Sequence, residues 1–177
     1  MHYRIAAILL ATASLSAACA SDGGSLSKRE VWDGRRADNQ SNFRSRLLNA
    51  HNAERQRLGM MPLAWDETLA GHAQAWSAEL AGRGAFEHAP TNKRPGEGEN
   101  LFTGTADAYT LETMIGGFIG EKKDFRPGTF PNVSQTGRWS DVSHYTQIIW
   151  RSTTRVGCGL ATRNGRDWLT CRYSPPG

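Results

Sequence analysis

The sequence lacks the features that define several common classes of protein. None of its apolar runs reaches the roughly 18 residues that a membrane-spanning helix needs. The net charge is only +4 and no block of five or more Lys or Arg occurs, so the sequence does not indicate nucleic-acid binding. Only 7 of 177 residues are Pro and 38% are hydrophobic. This composition excludes a proline-rich disordered chain and predicts one globular domain.

Familiar catalytic motifs are also missing. The chain has no G-x-S-x-G, H-E-x-x-H, Walker A or C-x-x-C motif, and Gly96-x-Gly98 lacks the third glycine of a dinucleotide-binding loop. There are 3 Cys, so one of them cannot be paired within the chain.

The N-terminus has the pattern of a secretory signal. Arg4 precedes an apolar stretch of small and aliphatic residues at positions 5–18, and no acidic residue occurs before Asp22. We therefore predict a signal peptide at residues 1–20, a polar linker at 21–40 and the folded domain at 41–177. A short buried helix is the alternative for the apolar stretch.

Cys19 has two interpretations. Residues 15–19, Leu-Ser-Ala-Ala-Cys, resemble a bacterial lipobox, in which the cysteine is lipidated after removal of residues 1–18. The large apolar residue usually lies three positions before the cysteine, where this chain has Ser16. Ordinary cleavage after Ala18 or Ala20 therefore remains open. Either the lipid or the loss of the signal peptide would account for the odd cysteine.

Helical periodicity predicts three helices in the first part of the domain. They cover residues 42–58, residues 67–81 with Asp66 as the N-cap, and residues 111–123 with Thr110 as the N-cap. A loop follows at 124–143 and contains Phe130, Val133 and Trp139. A loop of this length in a compact domain usually has a function or forms the wall of a cleft.

The last part of the chain changes to a β pattern. Residues 145–150 are rich in β-forming residues and are predicted as a strand. Asn164-Gly165 predicts a two-residue turn that joins strands 155–162 and 166–173. That register places Cys158 opposite Cys171, within disulfide reach, although two buried free thiols are an alternative. Helices followed by a sheet indicate an α+β fold.

Histidine and glutamate are the remaining candidates for chemistry. The chain beyond the signal peptide has four histidines: His51, His72, His88 and His144. We expect His51 to be buried and hydrogen-bonded across the fold, and His72 to lie on the exposed side of its helix without a role. Glu121 borders the apolar face of the third helix, where a carboxylate must reach solvent or a polar partner.

Four motifs occur in order along the chain. They are His51-Asn-Ala-Glu-Arg55, Gly98-Glu-Asn-Leu101, His144-Tyr-Thr-Gln-Ile-Ile-Trp150 and Cys171-Arg-Tyr-Ser-Pro-Pro-Gly177. Together they resemble the signatures of the CAP superfamily, which includes plant pathogenesis-related proteins of group one and bacterial SCP-domain proteins. With the predicted signal, the chain resembles a bacterial secreted or lipoprotein member. The last signature normally closes with an Asn after Gly177, so the domain could continue beyond the given sequence.

The resemblance implies a fold and a site. The fold would be a three-layer α-β-α sandwich with a central antiparallel sheet, and a cleft would carry two His and two Glu. By motif position these are His88, Glu99, Glu121 and His144. Two neutral imidazoles can bind a divalent ion such as zinc, with the carboxylates as further ligands or as acceptors that orient the rings. The resemblance assigns a structural role to the remaining motif residues, His51, Asn52, Arg55 and Asn100.

Two functions fit this resemblance. The first is an exported, non-catalytic binding module in the periplasm or outside the cell. It would hold a lipid or sterol-like ligand or engage an envelope or cell-surface partner, and it would contact a membrane only through an N-terminal lipid anchor. The alternative is a metal-dependent hydrolase in which Glu99 or Glu121 acts as general base. No independent catalytic motif supports the hydrolase, which favours the binding module.

We predict that Cys19 carries a lipid. Metabolic labelling with an alkyne fatty acid should mark the wild type and not Cys19→Ser, because the thiol is the only attachment point in the lipobox-like segment. Equal labelling of both proteins, or a mature N-terminus at Ser21, would instead establish ordinary cleavage.

Overall fold

A computed structural model of the chain describes residues 42–177. The predicted signal peptide, the linker and Cys19 lie outside the described residues, so these assignments remain predictions. In the described part of the chain, no helix combines the length and the apolarity needed to cross a membrane.

The described residues form four α-helices and four strands. The helices are α1 (Phe43–Arg57), α2 (Glu67–Arg83), α3 (Leu111–Gly120) and α4 (Ser143–Ile148). The strands are β1 (Ala64–Trp65), β2 (Gly98–Thr105), β3 (Arg155–Arg163) and β4 (Arg166–Ser174). Single 3₁₀ turns cover Thr91–Lys93, Glu121–Lys123 and Trp139–Val142.

The predicted N-caps are confirmed, and two helix ends differ from the prediction. The Asp66 carboxylate accepts from the backbone amides at the start of α2, and the Thr110 hydroxyl does the same for α3. Helix α2 does not stop at Gly82 but continues to Arg83. Gly84 follows as its C-cap, with the left-handed φ of 66° that is common where a helix ends. The last predicted residues of α3, Glu121–Lys123, form a 3₁₀ turn instead.

The predicted strand at residues 145–150 is wrong. Its first four residues, 145–148, belong to the helix α4, and the helix ends at Ile148. Tyr145 and Ile148 are buried at 2% and 0% exposure, and residues three apart share one face of a helix. A short apolar run does not distinguish a strand from a buried helix. His144 therefore lies in the first turn of a helix rather than before a strand.

The sheet has the order β1-β3-β4-β2. The predicted hairpin is confirmed, with Cys158 paired with Cys171 across β3 and β4 and joined to it by a disulfide. Closing a loop of this size stabilises the fold by about 3 kcal/mol in the chain-entropy account. The expected antiparallel sheet holds for β3, β4 and β2, but the two-residue β1 runs parallel to β3, so the whole sheet is mixed.

Helices cover both faces of this sheet, which confirms the α+β sandwich. Successive side chains of β4 alternate between the faces: Leu169, Cys171 and Tyr173 pack with α1, α3 and α4, whereas Trp168 packs with α2. Helix α2 lies so close to β3 that a Cβ on Gly159 would be 2.3 Å from a backbone atom of Gln74.

A buried hydrogen-bond chain joins α1 to the sheet. His51 is fully buried, and its Nδ1 donates to the Leu47 carbonyl at 2.7 Å, because a carbonyl can only accept. Its Nε2 therefore accepts from the Tyr173 hydroxyl at 2.8 Å. Asn100 of β2 donates to the same hydroxyl oxygen at 3.2 Å. The expectation of a buried histidine that is bonded across the fold is confirmed.

We predict that the free energy of unfolding decreases as the pH falls from about 6.5 towards 4. Burial lowers the pKa of His51 from 6.5 to about 4, so the unfolded chain binds a proton in this range that the folded chain does not. The stability due to neutral His51 is complete above pH 6.5 and is lost on acidification. Urea unfolding should show a loss of roughly 2 kcal/mol between pH 7 and pH 5.

The control is His51→Gln, which should lack this loss because it carries no titratable ring at the buried position. NMR spectra of the folded protein should show the His51 ring neutral at pH 5. A ring that gains its proton near pH 6.5 without unfolding would contradict the prediction.

Candidate functional site

The first of the predicted histidines, His88, pairs with Glu99. His88 lies in the loop after α2, and Glu99 is the second residue of β2. The His88 Nδ1 and Glu99 Oε1 atoms are 2.7 Å apart, and the Ala89 amide donates to the same oxygen at 3.0 Å. A carboxylate accepts, so Nδ1 carries the proton and Nε2 is the nitrogen left to take a ligand.

The second pair is His144 and Glu121. Their Nδ1 and Oε1 atoms are 2.6 Å apart, and the Tyr145 amide donates to the other carboxylate oxygen at 3.1 Å. The His144 ring also stacks on Phe118, with centroids 5.0 Å apart and planes at 14°. Glu121 thus has the polar partner that its position beside an apolar face requires.

Three of the four predicted residues line one cleft. His88, Glu99 and His144 border a cavity of about 290 Å³, whereas Glu121 is not among its lining residues and reaches it only through His144. Within residues 42–177, no three His, Cys, Asp or Glu side chains are close enough together to hold a metal ion. The structure therefore shows two His–Glu pairs rather than one compact cluster of four.

The cleft lies where α4 meets the edge strand β2. A Cβ on Gly98 would be 2.0 Å from the Gln147 Oε1 atom, so a larger residue at this position would require the Gln147 side chain to move. The Asn100 side chain donates to the His144 backbone carbonyl at 3.1 Å. These contacts between β2 and α4 bring His88 and His144, from different layers of the fold, to one cavity.

A buried arginine that the sequence did not identify supports the first pair. Arg172 is 1% exposed and lies directly opposite Glu99 across the β2–β4 ladder. Its Nε is 2.9 Å from Glu99 Oε2 in an ion pair without hydrogen-bond geometry, and its Nη1 donates to Glu97 at 2.9 Å. Glu97 in turn bonds the Nδ1 of His72 at 2.6 Å.

The Arg172 guanidinium thus forms ion pairs with two buried carboxylates, Glu97 and Glu99, and each of these carboxylates also bonds a histidine. His72 is half-exposed, as expected, but it has a partner that the sequence did not indicate. The alternation of β4 could have placed Arg172 on the face of Glu99, had β2 been recognised as a strand.

A second and larger cavity lies beside the cleft. It has a volume of about 630 Å³ and is bounded by the end of α1, the loop after α3 and the end of α4. Its walls are mostly aliphatic and aromatic: Leu58, Met60, Phe125, Pro127, Gly128, Phe130, Val133, Thr146, Ile149, Trp150, Arg151 and Ser152. We call this cavity the apolar pocket.

Phe130 and Thr146 line both the apolar pocket and the cleft, and so form a shared wall. Phe130 is 48% exposed and contacts Trp139 on one side and Trp150 on the other, with ring centroids 5.5 and 6.0 Å away. The loop that the sequence predicted as a cleft wall is thus part of both cavities.

Residues 48–173 match CAP, the Cysteine-rich secretory protein family. The chain belongs to the CAP family. Membership and the Cys158–Cys171 disulfide are consistent with an exported protein.

CAP proteins of plants are among its relatives. The chain is 34% identical over 131 residues to a pathogenesis-related protein of PR-1 type from Sambucus nigra, which covers 73% of this chain and 74% of that one. It is 33% identical over 138 residues to pathogenesis-related protein 1A from Nicotiana tabacum, which covers 77% of each. A bacterial origin for this chain remains a prediction.

Solved structures of the same fold include NaASP2, whose crystal structure was determined with Zn²⁺. It superposes on the chain with a TM-score of 0.62 at 24% identity, covering 76% of this chain and 80% of that one. At 24% sequence identity, this structural similarity shows that the two proteins share the CAP fold.

The remaining CAP motif residues make structural contacts. Asn52 exchanges two hydrogen bonds with the Leu63 backbone, at 3.0 and 2.8 Å. The buried Arg55 donates to the carbonyls of Met61, Ile148, Trp150 and Thr153.

We predict that Arg172→Met destabilises the domain by about 3–5 kcal/mol, because it leaves two buried carboxylates without their cation. Urea unfolding measures the change. Arg163→Met, an exposed arginine in the same hairpin, should stay close to the wild type. Adding Glu97→Gln and Glu99→Gln to Arg172→Met should recover part of the loss. An Arg172→Met protein as stable as Arg163→Met would show that the buried pairing is not needed.

Proposed function

We propose that this CAP protein is an exported, non-catalytic binding module for a lipid or sterol-like ligand. The apolar pocket is the single observation that carries the proposal. Its volume of about 630 Å³ lies within the range of about 300–1,000 Å³ that is usual for small-molecule sites. Among the described residues that line it, the polar groups are the side chains of Thr146, Arg151 and Ser152 and the indole N–H of Trp150.

The shape of the pocket favours a ligand over a purely structural void. Its walls come from three separate segments, and the half-exposed Phe130 is one of its lining residues. Burying the exposed part of an aromatic ring against a ligand is favourable at about 25 cal/mol per Å² of apolar surface. In addition to a small ligand, an envelope or cell-surface partner could use the same exposed aromatic residues, Phe130 and Trp139.

We further propose that the cleft binds a divalent metal weakly, with His88 and His144 as the ligands. The Nδ1 of each ring is bonded to a carboxylate, which is the arrangement that orients metal-ligating imidazoles. This geometry favours Glu99 and Glu121 as acceptors that position the rings rather than as ligands. The proposed site would have two protein nitrogens, one from each ring, and open positions for water.

The hydrolase alternative receives less support from the same contacts. A general base needs a free lone pair beside the attacking water. Glu99 is engaged by His88, the Ala89 amide and Arg172, and Glu121 accepts at both oxygens. These contacts commit part of each carboxylate's accepting capacity to other groups of the fold, which favours a positioning role over that of a general base.

For its location, we propose the periplasm or the extracellular space, with Cys19 as an anchor to the envelope if the lipobox-like segment is used. This proposal rests on the N-terminal sequence pattern together with the disulfide, which persists in oxidising compartments.

We predict that the protein purified from its own exported fraction carries a lipid. Native mass spectrometry should find it on the wild type, and a delipidated sample should rebind a fluorescent fatty acid or sterol. Phe130→Ala should weaken rebinding roughly tenfold, because it removes apolar wall from the pocket. The matched control is Phe86→Ala, since Phe86 is 54% exposed and lines neither cavity. Absence of both co-purified lipid and rebinding would refute the proposed function.

We predict that zinc affinity, measured by titration calorimetry, falls as the pH is lowered from about 7 to about 5.5, since an imidazole must be neutral to bind a metal. His88→Ala/His144→Ala should lose the binding and keep the fold, whereas His72→Ala should retain it. Equal affinity in the wild type and the double variant would show that the cleft is not a metal site.

A further inference from the structure

The exposed charges around the mouth of the apolar pocket are all positive. Most residues that line the pocket come from three described segments, 54–61, 121–133 and 149–152. The acidic residues of these segments, Glu54, Glu121 and Asp124, are buried or partly buried. The exposed charged side chains of the same segments are Arg57, Lys122, Lys123, Arg126 and Arg151. The surface at this opening therefore carries a net positive charge.

Three of these five cations have no partner within residues 42–177. Lys123, Arg126 and Arg151 form neither an ion pair nor a side-chain hydrogen bond there, whereas the other two share the carboxylate of Glu54. Most of the described cations elsewhere pair with a carboxylate, namely Arg44, Arg46, Arg83, Lys93, Arg138, Arg155 and Arg172. Unpaired positive charge is thus concentrated at the pocket mouth.

Exposed apolar side chains lie among these cations. Leu58 and Phe130 line the pocket and are exposed. Met61 follows the pocket-lining Met60 and is 80% exposed, more than any other large hydrophobic residue between 42 and 177. Trp139, which contacts Phe130, is exposed as well. A group of exposed apolar side chains of this kind marks a surface that contacts another molecule or a membrane.

Hydrogen bonds hold the backbone of this surface in place. The Arg55 guanidinium donates to the Met61 carbonyl at 2.8 Å and to the Trp150 carbonyl at 3.0 Å, and so joins two of the segments. In the third segment, the Arg126 amide donates to the Val133 carbonyl at 2.9 Å. We call this surface the cationic face and define it by eight exposed residues: Arg57, Leu58, Met61, Lys122, Lys123, Arg126, Phe130 and Arg151.

We propose that the cationic face docks the folded domain on the surface of an anionic lipid bilayer. Unpaired Lys and Arg side chains are attracted to negative headgroups, and the apolar side chains between them enter the boundary between headgroups and acyl chains. The charges alone would also fit an acidic protein, but the exposed apolar side chains favour a bilayer. The proposal goes beyond the N-terminal lipid anchor expected from the sequence, because the domain itself makes the contact. It does not require an occupied pocket.

The test is co-sedimentation of the mature chain from Ser21 with two kinds of vesicle, phosphatidylcholine alone and phosphatidylcholine mixed with phosphatidylglycerol. This chain lacks Cys19, and residues 21–41 contain as many acidic as basic residues, so neither a lipid nor the linker charge contributes. The wild type should prefer the anionic vesicles by about tenfold or more. Added salt should reduce the preference, because ions screen exposed charges.

Lys123→Ala/Arg126→Ala tests the cations without changing a pocket-lining residue. It should weaken binding to the anionic vesicles roughly thirtyfold, because each cation near an anionic surface contributes about fivefold. Met61→Ser should also weaken it, because an inserted apolar side chain is lost. The matched control is Arg163→Ala/Arg166→Ala, which removes the same charge from exposed positions on the β3–β4 hairpin and should bind as the wild type does.

Equal losses in the two double variants would show that binding follows net charge, which would overturn the docking face. Absence of binding to the anionic vesicles would overturn it too and would leave an acidic protein as the partner of this surface. Rebinding of a fluorescent fatty acid in vesicle-free solution should be the same in Lys123→Ala/Arg126→Ala as in the wild type. If the wild type binds anionic vesicles but no fatty acid or sterol, the proposed function fails and the docking face stands.

Discussion

The guanidinium of Arg55 is the contact on which the end of α4, and with it one wall of the apolar pocket, depends. A six-residue helix such as α4 leaves its last carbonyls without partners inside the helix. Arg55 is 1% exposed and supplies donors to the carbonyls of Ile148, Trp150 and Thr153 from the neighbouring helix. A cation at the C-terminal end of a helix also interacts favourably with the negative end of the helix dipole. One side chain of α1 therefore fixes the segment that carries the lining residues of the apolar pocket.

The two faces of the sheet hold different kinds of polar network. On the face towards α1, His51, Tyr173 and Asn100 form a chain of uncharged groups, and burial raises the pKa of the Tyr173 hydroxyl so that it remains a donor. On the face towards α2, Arg172 lies between ionisable carboxylates. Because buried neutral groups need only hydrogen bonds whereas buried charges need a counter-charge, the second network is the more sensitive to loss of one member.

The sequence predicted those features of the fold that are determined within one short segment, such as a turn or a helix N-cap. The Asn164-Gly165 turn set the register of β3 and β4, and with it the disulfide, while Asp66 and Thr110 marked helix starts. The strand β2 was not predicted, and residues 145–150 were assigned the wrong structure, because both depend on distant packing. Motif position named His88, Glu99, Glu121 and His144, but only tertiary structure divides them into two pairs. Arg172 lies inside the last motif, but its carboxylate partners come from other segments, and the apolar pocket is likewise assembled from separated segments without a local signature.

The wall formed by Phe130 and Thr146 has a thermodynamic consequence. Two cavities that share a wall cannot be occupied independently if either occupant moves it, because the displacement changes the volume open to the other. Linkage then requires equal coupling in both directions: if the cleft binds an ion and the pocket a lipid, as proposed, each would alter the affinity for the other by the same factor. Whether the coupling strengthens or weakens the second affinity depends on which rotamer of Phe130 each occupant prefers. Under the proposed function, the coupling between the two cavities would therefore pass through one half-exposed ring and its two aromatic neighbours.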